Sequence, residues 1–165
     1  MREKNNTDES MHEQAGTPQK AGKTDTMKLL RKCEEGCFMG MQAIDDVLDE
    51  IQGKELEKLL TESREHHEKI RNKIHHFLRE RNYDDKEPGM LAQSMSLMKT
   101  TLKIHFEKSD TAIVGLMIDG CHMGLKSLHK YKNKYQNADS TAVEICNRLL
   151  DIEDELCHKL YNFIF

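Results

Sequence analysis

Four long stretches of this chain repeat apolar residues every three or four positions, and short polar breaks separate most of them. That spacing gathers the apolar side chains of a helix onto one stripe, which must be buried against other helices. The first stretch carries Leu30, Cys33, Cys37, Met41, Ile44, Val47, Leu48 and Ile51. The second carries Leu56, Leu59, Leu60, Ser63, His67, Ile70, Ile74, Phe77 and Leu78. Val114, Met117, Ile118, Cys121, Leu125 and Leu128 form the third stripe. Ala142, Cys146, Leu149, Leu150, Glu153, Cys157, Leu160 and Ile164 form the fourth. The chain has only two prolines, and its charged residues (33%) are largely Glu and Lys, which favour helix. The expected fold is therefore an all-α four-helix bundle.

Breaks and caps divide the chain. Residues 1–24 hold almost no large aliphatic side chain and are expected to form a disordered tail, with the bundle domain over residues 25–165. Asp25 or Thr26 can cap the first helix, and Gly53 is a stop signal before a second helix from about Lys54 to Asn82. Ser109 and Asp110 offer an N-cap for the third helix, which runs to Tyr135. Thr141-Ala-Val-Glu144 reads as a capping box for the fourth. The first connection is short, so its two helices are antiparallel neighbours. Between the second and third helices, Leu91, Met95, Met98, Leu102 and Phe106 recur at helical spacing after Pro88. A long, partly helical crossover there returns the chain to the far end of the bundle. The alternative is one continuous helix from Pro88 to Tyr135, which would project beyond its neighbours.

Met95-Ser-Leu-Met-Lys-Thr-Thr-Leu-Lys103 and Met117-Ile-Asp-Gly-Cys-His-Met-Gly-Leu-Lys-Ser-Leu128 resemble a family of small clostridial-type bacterial proteins of unknown function with a ferritin-like bundle. The resemblance spans most of residues 27–165. It implies a ferritin-like topology in a bacterial cytoplasm and implies no activity.

A di-iron version of that fold needs inward-facing glutamates and two Glu-x-x-His motifs. Glu155-Leu-Cys-His158 and the weaker Asp119-Gly-Cys-His122 have the spacing, yet at about 100° per residue both pairs fall off their apolar stripes. No intact di-iron centre is expected. One polar layer does face inward. His67 and Ser63 interrupt the second stripe, Glu153 interrupts the fourth, and Cys121 of the third lies at a similar height, each about four turns from one shared end. A buried carboxylate needs a partner, and His67 is the natural one for Glu153. Three readings of this layer stay open: a structural pair fixing helix register; a metal held by His67, Glu153 and Cys121 or Cys157, a donor set suited to iron or zinc; and a proton-transfer or thiol-redox site.

The five cysteines lie on apolar stripes and form no C-x-x-C pair, which argues against a disulfide framework and for a reducing compartment. Cys33 and Cys37 share one face. The His66-His67 and His75-His76 doublets cannot each grip one ion, because adjacent helical residues diverge. Gly120 and Gly124 leave one side of the third helix open to a crossover helix or a second subunit. The net charge of −4 and interspersed basic residues argue against nucleic acid. No apolar run approaches the roughly 20 residues of a membrane span. The expected protein is cytoplasmic, needs no cofactor, and forms a homo-oligomer, a dimer, through the third helix or the crossover segment. It is a structural or interaction module rather than an enzyme. The alternatives are a metal-binding protein with an incomplete site, and a ligand carrier with a methionine-lined cavity.

Overall fold

The computed structural model of the chain describes residues 18–83 and 109–164. Among these residues four α-helices form the molecule: α1 (Pro18–Leu48), α2 (Lys54–Glu80), α3 (Asp110–Lys134) and α4 (Ser140–Leu160), followed by a 3₁₀ turn at Tyr161–Phe163. The expected apolar stripes supply most of the core, but Leu29, Ile113, Ile145, Ile152 and Leu156 join it from outside them, and Ile164 of the fourth stripe is exposed. Leu29, Leu30, Ile44, Leu56, Leu60, Ile74, Ile113, Leu149 and Leu160 are all but sealed from solvent. Among the described residues no helix is long and apolar enough to cross a membrane.

Polar contacts at the helix ends fix the direction of each helix. At one end, the Asp110 carboxylate accepts hydrogen bonds from the backbone N–H groups of Gln52 (2.9 Å) and Gly53 (2.8 Å), seating the start of α3 on the α1–α2 turn. At the other end, Asp25 accepts from the backbone and side-chain nitrogens of Asn137, both at 3.1 Å. The Thr26 hydroxyl there accepts from the Asp139 N–H (2.8 Å), and Arg81 donates to the Asp139 carboxylate (3.0 Å). The start of α1, the end of α2 and the α3–α4 turn therefore meet at this second end. Helices α1 and α4 run one way and α2 and α3 the other, so α2 closes and α3 opens at opposite ends of the bundle. The expected crossover, residues 84–108, lies outside the described residues, as does the tail over residues 1–17. The continuous helix from Pro88 to Tyr135 is excluded: Ser109 is extended (φ −127°, ψ 148°), and its hydroxyl accepts from the Ala112 N–H as the N-cap of α3.

Three local expectations need correction. Helix α1 begins at Pro18 rather than at Asp25 or Thr26, so residues 18–24 of the expected tail are helical. Proline is well placed in a first turn, where its missing N–H is not needed. Lys23, its ammonium 5.0 Å above the Tyr83 ring, joins this segment to the end of α2. Helix α4 is capped by Asp139, which accepts from the Thr141 N–H at 2.9 Å, and not by Thr141 itself. Gly53 does not end α1, which stops at Leu48. It is the N-cap of α2, and a Cβ there would lie 2.8 Å from the Asp110 carboxylate.

Helix α2 stops through Asn82, whose positive φ of 49° turns the chain out of the helix. The Tyr83 N–H reaches back to the Leu78 carbonyl and the Asn82 N–H to that of Arg79, a Schellman arrangement sealed by the Tyr83 ring on Phe77 (centroids 6.3 Å apart).

The core divides into two apolar clusters. One, toward the α3–α4 turn, is built around Leu29, Leu30, Ile70, Ile74, Phe77, Ala142, Ile145 and Leu149. The other, toward the α1–α2 turn, is built around Ile44, Val47, Leu56, Leu60, Ile113, Val114, Leu156 and Leu160. Neither cluster includes Ser63, His67 or Glu153.

Candidate functional site: a buried His–Glu layer

His67 is 1% exposed and Glu153 7%, and with Ser63 and Thr26 they make up the buried polar side chains among the described residues. Helical geometry places them there: His67 lies one turn beyond Ser63 and one before Ile70 on the inner face of α2, and Glu153 lies between Leu149 and Leu156 on α4. The two side chains meet, with His67 Nε2 3.0 Å from Glu153 Oε1. His67 Nδ1 lies 2.8 Å from the Ser63 backbone carbonyl. A carbonyl only accepts, so Nδ1 carries a proton and donates. The bond between Nε2 and Oε1 holds one further proton, and the pair reads as imidazolium and carboxylate or as the neutral equivalent.

Burial alone would lower the His67 pKa. The hydrogen bond to Glu153, the charge of Glu153 and the Ser63 carbonyl outweigh it and raise the pKa above its ordinary value. Two thiols flank the pair. Burial pushes the Cys121 thiol well up, and the charge of Glu153 and a hydrogen bond to it push the same way. Burial also raises Cys37, again with the charge of Glu153 behind it. Both shifts favour the protonated thiol over the thiolate that nucleophilic or redox chemistry uses.

Two glycines make room for the layer. A Cβ on Gly40 of α1 would lie 2.9 Å from His67 Nε2 and 3.0 Å from Cδ2, so the imidazole lies flat against the α1 backbone. A Cβ on Gly124 of α3 would lie 3.3 Å from both Cδ and Oε1 of Glu153. Gly124 thus faces the bundle interior, not a second subunit, whereas nothing lies within 4 Å of a Cβ at Gly120. The sequence carries a signal for Gly40: a glycine beside Met41, deep in a helix it can only weaken.

The remaining expected donors fall elsewhere. Glu155 is exposed and pairs with Lys159 at 2.7 Å, and His158 is exposed with Nδ1 2.8 Å from the Asp154 carbonyl. Asp119 is exposed. His75 bonds Glu34, and His76 pairs with Glu80 at 3.1 Å. Cys33 faces Cys146 across α1 and α4, and their thiol–thiol hydrogen bond together with burial raises the Cys33 pKa. Among the described residues no three His, Cys, Asp or Glu side chains converge closely enough to hold a metal ion. The chain matches no known family, no curated protein and no solved structure.

Proposed function

We propose that this chain is a ferritin-like bundle of the structural or protein-interaction kind, in which a His67–Glu153 pair occupies the level where di-iron relatives would hold metal. The opposed ends of α2 and α3 support the ferritin-like part, since that topology needs a long connection between the second and third helices. One observation carries the rest. Both ring nitrogens of His67 are committed inside the protein, Nδ1 to the Ser63 carbonyl and Nε2 to Glu153, which leaves no lone pair directed at an ion. The pair instead joins α2 to α4 between two apolar clusters, where a slip of either helix by one residue would leave two buried polar groups unpaired. In this reading the protein acts in the cytoplasm as a homo-oligomer, by presenting a rigid helical surface.

The test is iron loading of untagged protein, followed by metal analysis and an optical spectrum, for the native chain and for the His67→Leu/Glu153→Leu variant. Equal iron content in both supports a register pair. Iron that is present in the native chain and lost in the variant overturns this reading in favour of a metal-binding protein centred on His67, Glu153 and Cys121.

A further inference from the structure

One turn along α4 from Glu153, toward the α1–α2 end, His122 of α3 comes within reach of donor atoms on two further elements. His122 Nε2 of α3 lies 3.8 Å from Cys157 Sγ of α4 and 3.1 Å from the Tyr161 hydroxyl of the 3₁₀ turn. His122 has the wrong wheel position to join the core, and its exposed ring lies against α4 and the 3₁₀ turn. Cys157 is 4% exposed, whereas Tyr161 is 45% exposed and His122 is exposed, so the cluster is closed on the sulfur side and open on the other.

The spacing can be compared with a metal's requirements. Zinc bonds a thiolate at about 2.3 Å and imidazole nitrogen or oxygen at about 2.0–2.2 Å, so a tetrahedron sets S···N near 3.6 Å and N···O near 3.4 Å. The observed separations bracket those values and differ from each by about 0.2–0.3 Å, a shift that small side-chain rotations supply. Nitrogen and sulfur together select a borderline-soft divalent ion over calcium or magnesium, which prefer all-oxygen sites. The cluster holds only two of the side-chain types that most often bind zinc, with a phenol as the third donor.

We propose that His122, Cys157 and Tyr161 form a three-donor site for a zinc-class divalent cation, with the fourth position open to water or to a ligand from solvent. Binding replaces the thiol proton: the S–H bond breaks, the Zn–S bond forms, and one proton leaves to solvent. Because binding displaces that proton, uptake should strengthen with pH. Held by α3, α4 and the 3₁₀ turn, the ion would clasp the C-terminal end of the bundle.

The test uses the full chain, purified without a tag and stripped with chelator. Zn²⁺ is titrated calorimetrically in two buffers of different ionisation enthalpy. Co²⁺ serves as the optical probe, because its thiolate bond gives a charge-transfer band. The expected result is one equivalent per chain with about one proton released, a cobalt–thiolate band absent in Cys157→Ser, and affinity at least tenfold weaker in His122→Ala. Tyr161→Phe should weaken binding several-fold. His122 is on the surface, so its variant folds whether or not Cys157→Ser does. The proposal fails if the native chain takes up no stoichiometric zinc or if binding survives His122→Ala unchanged. It fails equally if binding is lost in a His75→Ala/His76→Ala variant, which would place the ion on α2.

Discussion

Removing either half of the His67–Glu153 pair should cost far more than removing both. Glu153→Leu leaves an imidazole that is 1% exposed, with one nitrogen facing leucine, and breaking a buried pair in this way costs about 3–5 kcal/mol. His67→Leu strands the carboxylate beside the protonated Cys121 at a similar cost. The double leucine variant loses no partner and should stay within about 2 kcal/mol of the native chain. Leucine at 67 also presses on the α1 backbone at Gly40. That strain occurs in both the single and the double variant, so it cancels in the cycle. The coupling energy, the two single costs less that of the double variant, should then be at least about 4 kcal/mol. Urea unfolding of the four proteins, with the slope checked for constancy, gives the number directly. Each single variant should also melt roughly 6–20 °C lower, at about 2–4 °C per kcal/mol for a domain of this size. If the two changes add within about 0.5 kcal/mol, the groups do not interact and the pair has no role in register.

The glycines provide an independent check. Gly120→Ala should stabilise by up to about 1 kcal/mol because the site is open and alanine is the better helix former, whereas Gly40→Ala should destabilise by about 1–3 kcal/mol through its clash with His67. Thermal melts that rank the two in the opposite order would show that the imidazole does not lie against α1. Thr26→Val removes the acceptor of the Asp139 N–H and should cost about 1–3 kcal/mol by urea unfolding, since Thr26 is itself 1% exposed; a change near zero would mean that residues 18–26 are not docked on the α3–α4 turn. The pH dependence has a defined sign. The folded pKa of His67 is raised above 6.5, so its stabilisation is complete below that value and is lost as pH rises through the folded pKa. The double leucine variant should lack this decline, and a native chain whose stability instead rises across that range would contradict the pairing.

Much of this architecture is legible in the sequence because burial stripes are local signals. Each helix shows its own inner face, and two polar residues on two inner faces at matching heights imply that they meet. The start of α1 was not legible because residues 18–24 carry no apolar stripe. Polar contacts at Asp25 and Thr26 and the Lys23–Tyr83 contact tie this end of α1 to the rest of the bundle, and partners more than 50 residues away leave no periodic trace. Gly40 and Gly124 read as local costs, and their reason appears only when His67 and Glu153 arrive from other helices. The cap of α4 is ambiguous in the sequence because Thr141-Ala-Val-Glu144 and Asp139 are both sound cap chemistry, and the Arg81 contact at Asp139 comes from the C-cap of α2. The wheel position of His122 correctly implies an exposed residue but says nothing of a ring that reaches Cys157 and Tyr161.

The most direct measurement of the central claim is the titration of His67 by ¹⁵N NMR of the histidine rings, assigned with His67→Leu. The register-pair account predicts an Nδ1 that stays protonated throughout, as its bond to the Ser63 carbonyl requires, and an Nε2 that loses its proton only above the ordinary histidine pKa of 6.5, with that elevation abolished in Glu153→Gln. A ring that titrates below 6.5, as a buried histidine without a partner would, and that is indifferent to Glu153→Gln, would show that the pair does not exist.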